Sequence, residues 1–157
     1  MWWRMNRLML VAACALLLSP CLASSPPPGV RLVMRAEKAA VGPGEPVVLD
    51  ATVENVSLPF VSYLQDAPDT LTVTDRRGAV MPLTPLGVRL HNILVYHHAV
   101  TVNLFRGQRH EYRIQASALY EMGRPGTYTI TARRAVSVSA RRWVYLVSNT
   151  IKVRVLP

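Results

Sequence analysis

Apolar and polar residues alternate along short segments of this chain, and this period of two limits its fold more than any other feature. The clearest example is the segment 47–54, in which every odd-numbered residue is apolar. Such alternation is typical of a β-strand with one buried and one solvated face. Twelve prolines and eight glycines are scattered along the chain as turn residues that interrupt any long helix. The pattern predicts an all-β domain and argues against a helical bundle.

About seven short strands are expected from the positions of these segments. They are Val30–Glu37, Val47–Glu54, Phe60–Leu64, Thr70–Thr74, Val100–Leu104, Tyr112–Ile114 and a terminal hairpin with arms Thr127–Val138 and Trp143–Val155. The segment 82–98 is predicted as a long irregular connection, and the only helical turn is expected at Ser117–Met122. Strands spaced in this way favour an antiparallel β-sandwich, with a barrel as the alternative.

The first 23 residues do not follow this pattern. Two arginines precede the apolar run Leu8–Leu18, and an alanine closes the segment. A cationic start, an apolar run of about 7–15 residues and a small residue before the cut are the marks of a secretory signal peptide. We therefore expect residues 1–23 to be a signal peptide, 24–29 a proline-rich spacer and 30–157 the β-sandwich domain of a secreted or periplasmic protein.

Both cysteines, Cys14 and Cys21, lie within the predicted signal peptide. The exported chain would then have no thiol, which excludes disulfides, cysteine nucleophiles and thiolate metal sites, and no cofactor is expected. The apolar run is shorter than the roughly 20 residues of a membrane-spanning helix, so no transmembrane span is expected after cleavage. The residues before Cys14 resemble a bacterial lipidation box, and a lipoprotein attached through Cys14 is the alternative.

Positive charge is concentrated at the end of the sequence. The chain has a formal net charge of +9, and removal of the two leader arginines lowers it to +7. Residues 24–121 contain nine basic and nine acidic side chains, whereas residues 122–157 contain seven basic and no acidic ones. The distal end of the terminal hairpin is therefore the candidate binding site, and it comprises Arg133, Arg134, Arg141, Arg142, Trp143 and Tyr145.

The chemistry of this hairpin indicates an anionic partner. Guanidinium groups bind carboxylates and phosphates through paired hydrogen bonds and stack on aromatic rings. The expected partner is another exported or envelope protein with an acidic surface. A polyanion is the second candidate, although nucleic acid is not expected as the partner of an exported protein. The simplest alternative is that the arginines only solvate the hairpin and protect its edge from aggregation.

No catalytic motif is found, and the chain is not expected to be an enzyme. The weak candidates for metal ligands are three histidines in the irregular segment: His91, His97 and His98. Asp66 and Asp69 are interpreted as turn aspartates rather than as an acid–base pair. His110 begins a partial H-E-x-x-H zinc motif, but the fifth position is Ile114, so His110 is interpreted as an ordinary residue at the edge of a turn.

Three stretches carry a resemblance to a known family. They are Gly42–Leu49 with Asn55-Val56-Ser57, Thr72–Gly78, and Leu119–Met122 with Pro125–Ile130. They resemble the opening, the mid-domain hairpin and the tyrosine corner of bacterial exported immunoglobulin-like domains. They are also similar to the non-catalytic β-domain of deuterolysin-type metallopeptidases and to proteinase-inhibitor-like sandwiches. Arg124 stands where these families usually have an aspartate.

The resemblance implies an immunoglobulin-like β-sandwich of about seven strands, in which the hydroxyl of Tyr128 bonds to nearby backbone. It also implies binding rather than catalysis. We therefore expect an exported, non-enzymatic interaction module. An inhibitor or accessory domain for an exported protease is the alternative, and an inhibitor would need a rigid, exposed loop within 82–98. Binding of a polyanion by the arginine hairpin, or of a metal by the loop histidines, is the remaining alternative.

Overall fold

The computed structural model describes residues 29–65, 69–92 and 100–157. The predicted signal peptide, both cysteines and nearly all of the spacer lie outside these ranges. The strands are β1 (Val30–Ala36), β2 (Ala40–Val41), β3 (Val48–Asn55), β4 (Phe60–Leu64), β5 (Thr70–Thr74), β6 (Thr101–Phe105), β7 (Arg109–Gln115), β8 (Gly126–Ser139), β9 (Arg142–Val147) and β10 (Ile151–Val155). The helices are α1 (Pro85–Asn92) and α2 (Ala116–Leu119).

These strands form two sheets. Sheet A has the order β1-β3-β7, and sheet B has the order β2-β10-β8-β4-β6, with β5 and β9 also paired to β8. All pairings are antiparallel except the short parallel pair between β2 and β10. The chain is an immunoglobulin-like antiparallel β-sandwich, as predicted, and its two separate sheets are not a closed barrel. The described residues form ten strands rather than about seven, because the two-residue strand β2 was not predicted and the second arm of the terminal hairpin is divided into β9 and β10.

The core lies between the two sheets, where the alternation seen in the sequence buries one face of each strand. Leu49, Ala51 and Val53 of β3 are fully buried, and so are Val61 of β4 and Ile130 of β8. Burial of such close-packed aliphatic side chains is the main source of stability for a domain of this size. The strands predicted from period two are therefore confirmed, because each needs one apolar face toward the opposite sheet.

The predicted terminal hairpin is confirmed, with one interruption in its second arm. β8 pairs with β9 and β10 on one side and with β5 and β4 on the other. Between β9 and β10, Ser148 maintains the contact with β8, because its Oγ accepts the Ala132 N–H at 2.9 Å. The amide of Asn149 instead bonds to both backbone groups of Met34 in β1, at 2.8 and 3.0 Å. This side chain ties the hairpin to the edge of sheet A.

The irregular connection predicted for 82–98 is wrong for residues 85–92, which form helix α1. Thr84 caps this helix because its Oγ1 accepts the N–H of Gly87 at 3.0 Å, and Pro85 occupies the first helical position, which proline favours. α1 packs closely on α2, since a Cβ added at Gly87 would lie 2.1 Å from the carbonyl oxygen of Leu119. The helical turn predicted at Ser117–Met122 is found as α2, which begins one residue earlier and ends at Leu119, so residues 120–122 are not helical.

Two residues of the family-like stretches have structural roles. The hydroxyl of Tyr128 donates to the Arg124 carbonyl at 2.7 Å, which confirms the predicted corner contact. Asn55 is fully buried, and its Nδ2 donates to the carbonyls of Leu58 and Leu104, both at 2.9 Å. Its Oδ1 accepts the Leu58 N–H at 2.9 Å, so the amide joins the end of β3 to β4 and β6.

Candidate binding surface on the terminal hairpin

The adjacent residues Arg133 and Arg134 face opposite sides of sheet B. Arg133 is exposed, whereas the Arg134 side chain is only 6% exposed and lies between the sheets. The Nε of Arg134 is 2.5 Å from Oδ1 of Asp69, whose side chain is 1% exposed. Its Nη1 also donates to the Leu64 carbonyl at 3.2 Å. The prediction that Arg134 belongs to an exposed basic surface is therefore wrong, because successive residues of a strand point to opposite faces.

Arg134 and Asp69 belong to an inter-sheet polar cluster that also contains Tyr63, Tyr112 and His110. The Arg134 guanidinium carbon lies 4.8 Å from the Tyr63 ring centroid and 4.5 Å from that of Tyr112. The Tyr112 hydroxyl donates to Oδ2 of Asp69 at 2.7 Å. The Tyr63 hydroxyl is 2.6 Å from Nδ1 of His110. His110 is thus part of strand β7 and of this cluster, and its interpretation as a turn-edge residue is wrong.

The electrostatics of the inter-sheet polar cluster keep its phenols protonated. Burial raises the pKa of Tyr63 to about 12. Burial also raises the pKa of Tyr112, and the negative charge of Asp69 raises it further. For Arg134, burial lowers the pKa, but the attraction of Asp69, its hydrogen bond and the neighbouring Tyr112 and Tyr63 together raise the pKa overall. The cluster is a closed set of satisfied partners, which favours a structural role.

A small cavity of about 70 Å³ lies next to this cluster, between the start of β5 and the two helices. Asp69 and His91 both line it, together with apolar residues such as Leu90 and Leu119. Asp69 is a poor general base here, because both of its carboxylate oxygens already accept hydrogen bonds. The cavity therefore offers no pair of free acid and base groups, and the absence of enzymatic activity stays a prediction.

The metal prediction is only partly covered by the structure. His91 is exposed on α1, whereas His97, His98 and Asp66 lie outside the described residues. Within the ranges that the structure describes, no three histidine, cysteine, aspartate or glutamate side chains come together as a metal site. The inhibitor alternative needed a rigid exposed loop in 82–98, and the part of that segment seen here is largely a helix packed on α2.

The outer face of sheet B, turned away from the core, has two halves of different chemistry. The threonine half, on β5, β8 and β10, comprises Thr70, Thr72, Thr74, Thr127, Thr129, Thr131, Lys152 and Arg154. The aromatic half, on β9, β4 and β6, comprises Trp143, Tyr145, Val147, Phe60 and Phe105. Trp143 and Phe105 are each 59% exposed and Tyr145 is 57% exposed. Such a group of exposed apolar side chains is unusual on a solvated sheet face, so the aromatic half is the candidate interaction surface.

Strand register gives the aromatic half its shape. Trp143 pairs with Ser137, Ser137 with Ser62, and Ser62 with Asn103 across four strands. Small side chains thus separate Trp143 and Tyr145 at one end from the Phe60–Phe105 pair, whose ring centroids are 5.8 Å apart, at the other. Adjacent strands lie about 4.8 Å apart, so β9 is about 10 Å from β4, which carries Phe60, and about 14 Å from β6, which carries Phe105. The aromatic half therefore has two groups of exposed rings.

Arginines border the aromatic half at its β9 end. The guanidinium of Arg133 lies 4.8 Å from the ring centroid of Tyr145. Arg141 and Arg142 are exposed at the tip of the hairpin beside Trp143. Five of the six predicted site residues therefore lie on the exposed part of the hairpin, and their role in binding stays a prediction. Phe60 and Phe105 were missed, because only the pairing of β4 with β6 brings them to this face.

Comparisons with known proteins agree with the fold and leave the function open. No protein-family model matches the sequence, and no curated protein matches it either. A solved Northeast Structural Genomics Consortium target, SoR45, is similar with a TM-score of 0.54 at 8% identity, covering 83% of this chain and 90% of that one. This likeness shows a shared fold alone.

Two further solved domains are more distant in structure. The CARDB domain of the PF1109 protein from Pyrococcus furiosus, solved with di-metal ions, has a TM-score of 0.41 at 15% identity, over 81% of this chain and 87% of that one. A PapD-like domain of human CEP192 has a TM-score of 0.38 at 12% identity, over 98% and 97% of the two chains. Among the residues described, no helix is long and apolar enough to span a membrane.

Proposed function

We propose that this chain is an exported, non-enzymatic binding module that holds a partner protein on the aromatic half of sheet B. The observation that carries the proposal is the exposure of Trp143, Tyr145 and Phe105 on one sheet face. Aromatic side chains contribute most to protein–protein binding when they are desolvated by a partner. In solution they remain an apolar patch, which a secreted protein would ordinarily avoid.

Charge supports a partner with an acidic surface. Arg133, Arg141 and Arg142 border the aromatic half, and residues 122–157 contain no acidic side chain to neutralise them. Arginine with tryptophan and tyrosine is the combination most enriched in binding hot spots. Cationic side chains at the rim would also accelerate encounter with an anionic partner at low ionic strength. An envelope or secreted protein with an acidic patch has the chemistry that this surface fits.

Affinity capture with four matched forms of the protein tests this proposal. The forms are the wild type, Trp143→Ala/Tyr145→Ala, Arg141→Glu/Arg142→Glu, and Lys152→Glu/Arg154→Glu as the control. The control makes the same change of net charge on the threonine half of the same sheet. We expect the wild type and the control to retain the same partner from envelope extracts, and both hairpin variants to lose it.

The proposal fails if all four forms capture the same proteins, because the aromatic half would then be only a solvated surface. Loss of capture in both charge-reversed forms, but not in Trp143→Ala/Tyr145→Ala, would instead indicate a polyanion attracted by net charge.

Export is tested separately by the intact mass of the purified protein. A chain beginning at Ser24 is expected, and a lipid on Cys14 would identify a lipoprotein.

A further inference from the structure

We propose that the open edge of β9 accepts an extended, acidic segment of the partner as an additional strand of sheet B. This inference rests on the proposed function and states how the partner is held. It concerns the backbone of the strand that carries Trp143, Tyr145 and Val147, in addition to their side chains. Strand addition of this kind combines backbone hydrogen bonds with recognition of alternate side chains.

The hydrogen-bond pattern shows which backbone groups of β9 are open. Just after β9, Ser148 donates its N–H to the Ala132 carbonyl at 2.9 Å, so the backbone groups of residue 148 point toward β8. In an antiparallel pair, the backbone groups of successive residues point alternately toward and away from the partner strand. The backbone groups of Val144 and Leu146 therefore also point toward β8. The N–H and C=O groups of residues 143, 145 and 147 then point to the outer edge. Strand β8 is the only strand paired with β9 in the described part of the chain.

Among the described residues, three other sheet edges are protected against pairing, and β1 of sheet A lies near β9 without pairing to it. The outward residues of β7 are charged or polar, including Arg109, Glu111 and Arg113. The edge of β10 is covered by β2. The side chain of Gln108 accepts the Phe105 N–H at 2.9 Å and so caps the end of β6. Edges of natural sheets are usually blunted in such ways against further pairing.

Strand β9 differs because three of its residues combine open backbone with exposed apolar side chains. Trp143, Tyr145 and Val147 are each more than half exposed. Proline is absent from β9, and charge is confined to its first residue, Arg142. An edge of this composition is favourable for strand pairing. A secreted protein whose described residues leave such an edge unpaired is expected to use it.

The occupant is an extended segment with acidic residues at its ends. Arg141 and Arg142 flank one end of β9, and Arg133 lies beside Val147 at the other. Carboxylates at the ends of an added strand would meet these guanidinium groups, and its central residues would pair with β9. A second copy of this chain is a weaker occupant, because pairing two β9 edges would bring arginines of like charge together.

The test uses a nine-residue peptide, Glu-Glu-Val-Thr-Val-Thr-Val-Glu-Glu, titrated into the full chain and followed by ¹H–¹⁵N NMR. One control peptide has lysine in place of glutamate. The other keeps the glutamates and is N-methylated at the five central residues. We expect the acidic peptide to slow amide exchange at residues 143, 145 and 147. The lysine peptide should bind at least about tenfold more weakly, and so should the N-methylated peptide, whose charge is unchanged.

A matched pair of variants separates backbone pairing from side-chain contact. Tyr145→Ala and Tyr145→Pro both remove the ring, but only proline removes the outward N–H, and it leaves the bonds to β8 in place. Strand addition predicts at least about tenfold weaker peptide binding for the proline variant than for the alanine variant. If Tyr145→Pro does not fold, the N-methylated peptide provides the same comparison.

Each outcome has a defined meaning. Equal binding by Tyr145→Ala and Tyr145→Pro, or by the N-methylated peptide, would overturn strand addition while leaving the proposed aromatic surface intact. Failure of the acidic peptide to bind the wild type at millimolar concentration would also overturn it. Faster sedimentation than expected for a monomer, with β9 amides protected without peptide, would show that a second copy occupies the edge instead. The affinity capture described above decides the proposed function independently of these results.

Discussion

On the inner side of the β8–β9 hairpin, a guanidinium and two phenol rings are enclosed between the sheets, whereas on the outer side the same kinds of group face solvent. Arg134 is in contact with Asp69 and the rings of Tyr63 and Tyr112. Arg133, its neighbour in sequence, lies against the exposed ring of Tyr145. Residue type alone therefore does not separate a structural arginine from a binding arginine. The face of the strand on which an arginine lies determines its role. Substitutions on the inner face should affect stability, and substitutions on the outer face should affect binding.

The largest effect is expected on the inner side, from Arg134→Ala. Removal of the guanidinium leaves the carboxylate of Asp69 buried without its cation. Loss of one partner from a buried ion pair costs about 3–5 kcal/mol of unfolding free energy. Urea unfolding followed by circular dichroism measures this change, with Arg133→Ala as the matched control. The control should change the unfolding free energy by no more than about 0.5 kcal/mol. Equal losses in the two variants would contradict the placement of Arg134 on the inner face and Arg133 on the outer face.

A smaller loss is expected from Tyr112→Phe. This variant keeps the ring over Arg134 but removes the hydroxyl that donates to Asp69 at 2.7 Å. A hydrogen bond to a charged group contributes about 1.5–3 kcal/mol. The urea midpoint should fall accordingly, and an unchanged midpoint would show that water replaces the hydroxyl at no cost.

The inner phenols should also make stability depend on alkaline pH. Below pH 10 the folded and unfolded states both hold the Tyr63 proton, and its contribution is fully present. Between pH 10 and about 12 the unfolded phenol loses its proton and the folded one keeps it, so stability falls as pH rises. Urea unfolding at pH 9 and at pH 11 should therefore show a smaller fall for Tyr63→Phe than for the wild type. An identical fall in both would rule out a raised pKa at Tyr63.

The smallest effect on stability is expected on the outer side. Trp143→Ala and Tyr145→Ala remove exposed side chains, so each should change the unfolding free energy by no more than about 0.5 kcal/mol. Both should nevertheless weaken partner capture. A large loss of stability would indicate that these rings support the hairpin instead of binding a partner.

Much of the fold could be predicted from the sequence, because period two directly reports strands with one buried face. The alternation along β3 and along β8 is an example, and the corner contact of Tyr128 followed from its motif. Helix α1 was not predicted, because the two prolines and the glycine in 82–98 usually interrupt helices. Thr84 followed by Pro85 is nevertheless a helix-start signal, and it was present in the sequence.

The candidate site could be predicted only in part. The concentration of charge indicates the hairpin, whose role in binding stays a prediction. The same period of two places Arg133 and Arg134 on opposite faces of β8, so only Arg133 can belong to an exposed surface. Phe60 and Phe105 are 45 positions apart and meet through the register of β4 and β6, which no local pattern encodes. The Arg134–Asp69 pair depends on the same kind of long-range pairing, between β5 and β8.

Site-specific photo-crosslinking tests the central claim most directly. A photoreactive phenylalanine analogue is placed at Tyr145 on the aromatic half and, in a separate form, at Thr131 on the threonine half of the same sheet face. We predict that irradiation of the producing cells gives one discrete adduct with an acidic partner protein from position 145 and none from position 131. Adducts of the same pattern from both positions, or none from position 145, would contradict the claim that the aromatic half is the binding surface.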